Sequence, residues 1–188
     1  MAKKAYVRCR ACGYIMEAAK LGDACPACGV PAKQFEPYDD KVSDKRRRLM
    51  DLHIHPIVVH LPQAFVAFLL PVGILLFFAT GALRNLLLGT ATVLGVVLPF
   101  TVAAAFSAGL FDGKLRFRRL TTAVLRRKML LGGLFFLASC GGALVVILAG
   151  LETIGAILGF TLLNVAGLGA ATVLGTLGGP LFIAKFPG

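Results

Sequence analysis

The sequence predicts a small metal-stabilised domain followed by an all-α transmembrane four-helix bundle. Three observations carry this expectation. Two Cys-x-x-Cys units lie within residues 9–28. From Pro56 onward the chain is almost continuously apolar, which brings the whole to 57% hydrophobic and only 15% charged. Four stretches of that half contain no Asp, Glu, Lys or Arg. A soluble domain is about half apolar and about a quarter charged. The mean hydropathy of +0.82 therefore excludes disorder, a coiled coil and an ordinary cytosolic enzyme.

The first element is the segment 1–38, which holds Cys9-Arg10-Ala11-Cys12-Gly13 and, after a gap of twelve residues, Cys25-Pro26-Ala27-Cys28-Gly29. Two residues between cysteines let both thiolates grip one ion from a single turn, and two such turns complete a tetrahedral S₄ site. Gly13 and Gly29 stand where each turn needs positive φ and where backbone N–H groups can aim at sulfur. The opening Met-Ala-Lys-Lys lacks the apolar region of a secretory signal, so reduced thiols and a metal are expected, not disulfides. Cys140 stands alone in an apolar run. An S₄ site takes iron, which can shuttle one electron, or zinc, which is structural.

The run Tyr6–Ile15, the run Cys25–Pro31 and Phe35 together resemble the rubredoxin-like domain found at the C-terminus of rubrerythrins, over about residues 4–38. The resemblance implies a small β domain, one iron per chain held by Cys9, Cys12, Cys25 and Cys28, and electron transfer. The twelve-residue gap is the short, rubrerythrin-type spacing. One departure stands out. Residues 1–38 carry six basic and three acidic side chains, whereas free rubredoxins are typically acidic, so the partners of free rubredoxins do not carry over.

Residues 39–52 read as a basic linker containing Lys45-Arg46-Arg47-Arg48. All three histidines follow at once, in Asp51-Leu52-His53-Ile54-His55-Pro56-Ile57-Val58-Val59-His60-Leu61-Pro62. The H-P-x-x-V-H-x-P pattern resembles the opening of a bacterial four-helix membrane domain family of unknown function. His53, His55 and His60 are interface anchors at the wet boundary or a candidate haem b or quinone site. On one helix, His53 and His60 would share a face about 10 Å apart along the axis. One haem between them is thereby excluded, and a second protomer, Met129 or a five-coordinate iron would be needed.

The transmembrane domain, 53–188, is expected to hold spans near 56–80, 86–110, 129–151 and 154–183, each long enough to cross a core of about 30 Å. Pro71 and Pro99 are expected to kink the first two. Gln63 and Asn164 are polar residues at membrane depth, read as interhelical hydrogen-bonding groups. Gly155, Gly159, Gly167, Ala171, Gly175 and Gly179 recur at four-residue spacing in the fourth span, a stripe suited to a tight bundle or a homo-oligomer seam. Seven basic residues cluster between Lys114 and Lys128, while the opposite loops offer only Arg84. By the positive-inside rule both termini face the cytoplasm, in the inner (cytoplasmic) membrane. The 113–128 segment reads as a short basic helix on the inner leaflet or as a solvated loop. Basic clusters beside apolar spans suit topology and anionic lipid, so no nucleic acid is expected.

No nucleophile–base pair, phosphate loop or carboxylate dyad is present, so an electron carrier is expected and not a stand-alone enzyme. The expectation is a membrane-anchored electron-transfer protein working between a cytoplasmic partner and a membrane redox protein or component. The alternatives are a zinc-ribbon interaction module on a membrane scaffold and a small transporter or channel with a regulatory metal domain.

Overall fold

A computed structural model of the chain describes residues 5–39, 42–118 and 120–183. They fall into two compact units that part between Leu49 and Met50. The first unit is a three-stranded antiparallel sheet of order β2-β1-β3, from β1 (Tyr6–Cys9), β2 (Ile15–Glu17) and β3 (Phe35–Tyr38). The register sets Arg8 of β1 opposite Ile15 on one side and Glu36 on the other. Strands of three or four residues bury little, and within 5–39 only Cys9 and Cys25 are buried. The core of this unit is its own ligand set.

Helix α1 (Asp44–Asp51) occupies most of the segment expected as a linker. The charges that suggested a solvated run are good helix formers. Within the first unit, the Arg47 guanidinium of α1 lies over the Tyr6 ring, 5.0 Å from its centroid.

The second unit contains α2 (Ile54–Val58), α3 (His60–Leu75), α4 (Gly81–Phe117), α5 (Ala123–Leu144) and α6 (Ile154–Ile183). A five-residue π-helical stretch, Val145–Ala149, extends α5. The four long helices pack as a ring, α3 on α4, α4 on α5, α5 on α6 and α6 on α3. Val66, Leu69, Leu98, Phe135 and Phe160 lie at its centre. Glycines bring the backbones close. Gly95 packs against Phe160, Gly132 against Phe106 and Gly167 against Phe135 and Val66.

Four helical runs, Lys45–Leu75, Gly81–Phe117, Ala123–Ala149 and Ile154–Gly179, are long and apolar enough to cross a membrane. Only 28% to 33% of their most apolar windows is buried, and Phe78, Phe100, Leu130 and Leu148 are more than 70% exposed. Side chains of this kind need lipid, not water, around the bundle.

Several boundaries differ from those read in the sequence. The helix leading into the first span starts at Ile54, because His53 adopts a left-handed backbone (φ 49°), and α2 passes into α3 through Val59, whose backbone stays helical. His53 and His60 therefore share no helical face. Helix α4 runs past 110 to Phe117 and α5 starts at Ala123, so the basic segment is the ends of two helices and not a surface helix. The i,i+4 pair Asp112–Arg116 and the Thr122 hydroxyl, which accepts the Leu125 N–H, extend these ends. Pro71 and Pro99 lie inside helices that continue through them.

The polar and small residues also sort differently. Asn164 is buried but donates to the Phe160 carbonyl of its own helix (2.9 Å), not across the interface. Gln63 lies beside Gly175 of α6. In the small-residue stripe, Gly167 and Ala171 are buried within the bundle, while a Cβ at Gly155, Gly159 or Gly179 would have no described atom within 4 Å.

Candidate metal centre

The two knuckles are built alike. The Cys9 N–H donates to the Tyr14 carbonyl and the Gly13 N–H to the Cys9 carbonyl (2.8 and 2.9 Å). In the second knuckle the Cys25 N–H donates to Val30 and the Gly29 N–H to Cys25, both at 2.8 Å. Gly13 and Gly29 carry φ of 78° and 77°, the left-handed region that glycine enters without a Cβ penalty. The glycine amides thus close the turns. In the second knuckle, the amides aimed at sulfur belong to Ala27 and Cys28, on Cys25, and to Val30, on Cys28.

All four sulfurs lie within 4.8 Å of one another, with Cys9 Sγ to Cys28 Sγ and Cys12 Sγ to Cys25 Sγ both 3.8 Å. Metal–sulfur bonds of about 2.3 Å define a tetrahedron with edges of about 3.8 Å, whereas a disulfide is about 2.05 Å. The residues fit one tetrahedral ion and no disulfide. Burial alternates by knuckle position. Cys9 and Cys25 are buried, Cys12 and Cys28 exposed.

The charge state points the same way. Burial opposes the Cys25 thiolate, but the Ala27 and Cys28 amides and the thiols of Cys28 and Cys12 hold it down at about 7. The Val30 amide favours the Cys28 thiolate, yet the Cys12 sulfur, burial, and the Cys25 and Cys9 sulfurs push it up to about 12. Once one sulfur ionises its neighbour resists, and four thiolates this close need a cation among them.

Beside the knuckles, Glu36 accepts from Arg8 Nε (2.9 Å) and Nη2, and from Arg10 Nε (3.2 Å). Arg8, then Arg10, hold its carboxyl below the usual carboxylate range. Lys20 pairs with Glu17 at 3.4 Å. Three of the six basic residues of this domain are thus held in ion pairs, while Lys3 and Lys4 lie outside the described residues. Sequence reading missed the Arg8–Glu36 pair, because its signal is a strand register between residues 28 apart.

The histidines do not converge. Among the described residues, the four cysteines alone form a group of three or more His, Cys, Asp or Glu side chains able to hold one ion. His53 Nδ1 lies 2.6 Å from the Asp51 carbonyl, and His60 is exposed. His55 Nδ1 lies 3.2 Å from the Ala105 carbonyl on α4, with its ring over Gly109, where a Cβ would come within 2.9 Å.

The model of one protein family, described as rubrerythrin, rubredoxin-like domain, matches residues 8–36. That stretch contains all four cysteines and both arginines of the Glu36 cluster, so this part of the chain is a rubredoxin-like domain. No curated protein and no solved structure matches the chain.

Proposed function

We propose that the chain is a membrane-anchored electron carrier. Its four-cysteine centre holds one iron and passes electrons between a cytoplasmic redox partner and a redox component of the membrane. The observation that carries this reading is the set of four sulfurs, joined pairwise by two 3.8 Å edges and with one exposed in each knuckle, within a rubredoxin-like domain. Iron in four thiolates supplies one-electron chemistry with little change of geometry. The chain's own residues do the rest. The buried Cys9 and Cys25 fix the ion in the fold, while the exposed Cys12 and Cys28 bring sulfur to the surface, the shortest path for an electron to a docked partner.

The basic ends of α4 and α5, and in the sequence the basic run 45–48 ahead of the first span, support a cytoplasmic location for both termini at the inner membrane. The cavity at the bundle's centre, lined in part by Val66, Ser139 and Asn164, holds about 10 Å³. That is about the space of one water molecule and favours an anchor over a solute path.

Zinc would fit the same tetrahedron, so the metal decides between carrier and scaffold. The chain, purified in detergent from iron-replete cells, should contain about one iron per chain, absorb in the visible and bleach with dithionite. Stoichiometric zinc in its place would overturn the reading.

A further inference from the structure

Among the described residues, the bundle buries three polar side chains, Ser139, Thr161 and Asn164. Each donates to its own helix. Ser139 Oγ donates to the Phe136 carbonyl and Thr161 Oγ1 to the Ile157 carbonyl, both at 2.7 Å, and Asn164 Nδ2 donates to the Phe160 carbonyl at 2.9 Å. These bonds use hydrogens and leave oxygens. Thr161 turns its hydroxyl toward Gly73 of α3, where a Cβ would come within 2.6 Å, and takes no part in the wall of the central cavity. Ser139 of α5 and Asn164 of α6 both line that cavity.

The groups these two residues leave over are of one kind. A hydroxyl whose hydrogen is committed keeps only lone pairs. The bond from Nδ2 fixes which way the Asn164 amide points, so its other end, Oδ1, is an acceptor, and it accepts from no described residue. Both residues are only 4% exposed. A buried acceptor left without a donor costs more than immobilising one water. The rest of the wall, including Val66, Leu69, Leu98 and Phe160, has no side-chain donor to offer.

Two acceptors on one wall call for a donor of two hydrogens. The cavity holds about 10 Å³, and an ordered water needs about that volume and at least two polar partners. A hard cation is the wrong guest, because it takes about six oxygens. An acyl chain brings no hydrogen to give. We infer that the cavity is a site for one ordered water, which donates to Asn164 Oδ1 and Ser139 Oγ and bridges α6 to α5 at the centre of the bundle. The direct bonds of both residues stay within their own helices, so the water supplies a polar tie that the side chains alone do not make. The site stands whichever metal the cysteines hold.

The test is water-to-amide magnetisation transfer in the full, metal-loaded chain in nanodiscs, made with nitrogen-15 asparagine. The chain has two asparagines, Asn85 and Asn164, so both side-chain amides are read separately, and the exposed Asn85 serves as the solvent reference. The buried Asn164 amide should show a dipolar cross-peak with water, of the sign that separates a resident molecule from hydrogen exchange. Gly142 lines the same cavity, and a Cβ there would meet Phe160 at an ordinary 3.8 Å. Gly142→Ala should therefore fold, displace the water and abolish the cross-peak. Its thermal midpoint should not rise, although alanine is the better helix former. Ser139→Ala, which removes one of the two acceptors, should weaken the cross-peak. Helical circular dichroism and the spectrum of the metal centre check that each variant folds.

No cross-peak at Asn164 in the wild type, with Asn85 reporting normally, overturns the site. A dry cavity would also be stabilised by the added methyl, so a raised midpoint in Gly142→Ala counts against the water. A cross-peak that survives Gly142→Ala is relayed from elsewhere and overturns the placement in this cavity. One that is unchanged in Ser139→Ala overturns the bridge between the helices, and this holds even if Gly142→Ala fails to fold.

Discussion

The two halves of this chain are held together by opposite means. Between residues 5 and 39 only two side chains are buried, and both are cysteines. The bundle buries a continuous set of aliphatic and aromatic side chains around Phe160 and Leu69. A small sheet without an apolar core folds around its ligand, because metal binding and folding are one equilibrium there. A bundle in lipid is held by close packing of helix on helix, which is why its glycines meet phenylalanines.

The comparison breaks most sharply at the cysteines. Cys9→Ser, or removal of the metal by a chelator, should unfold residues 5–39 and leave the helices intact. The metal's contribution is on the order of 10 kcal/mol, more than so small a sheet can replace. Hydrogen exchange should lose protection in β1, β2 and β3 alone. Loss of protection in α3 to α6 as well would show that the bundle leans on the metal domain.

The converse change comes next. Phe160 is fully buried, with its ring against Gly95 and Gly142. Phe160→Ala should cost the bundle about 3 kcal/mol through the cavity it leaves. It should lower the thermal midpoint of the helices in detergent and leave the visible spectrum of the metal domain unchanged.

This contrast also explains what was legible in the sequence. The ligand set is local, since each knuckle is one turn, and spacing alone brings Cys9 to Cys12 and Cys25 to Cys28. The four long helices are legible because lipid tolerates few charges. Their ends are not, because Asp112, Lys114 and Arg116 continue a helix as readily as they leave a membrane. The seat of His55 was out of reach as well, since it is a glycine 54 positions away on another helix. The strands themselves, three or four residues long, show no alternation of their own and entered through the family resemblance.

Arg84 sharpens the comparison from the other side. It stood out as the one basic residue in the loops opposite the basic end, and the bundle gives it a task. Its Nη1 donates to the Leu76 carbonyl at 3.1 Å and its Nη2 to the Leu151 carbonyl at 3.0 Å. The side chain thus ties the exits of α3 and α5 to the start of α4, satisfying carbonyls that a helix end leaves bare. Arg84→Gln should destabilise the bundle by about 2 kcal/mol, less than Phe160→Ala. An unchanged midpoint would show that water or headgroups replace the guanidinium at no cost.

The smallest effect should come from an ion-pair cluster at the surface of the metal domain. Arg8 and Glu36 are direct partners across β1 and β3, and Arg10 joins them from the first knuckle. The two arginines depress the Glu36 carboxyl in the folded state. A depressed carboxylate contributes stability that is complete above its unfolded pKa of about 4.3 and is lost as pH falls through the lower folded value. Glu36→Gln should therefore lower the thermal midpoint of the metal domain at neutral pH by less than Arg84→Gln lowers that of the bundle, since the pair is solvent-screened. The gap between variant and wild type should close as the solution is acidified below that range. Acid also releases the metal by protonating the cysteines, but it does so in both proteins, so the difference between them is the quantity to follow. A gap that persists unchanged to acid would assign Glu36 a role as a neutral hydrogen-bond acceptor between strands, with no contribution from its charge.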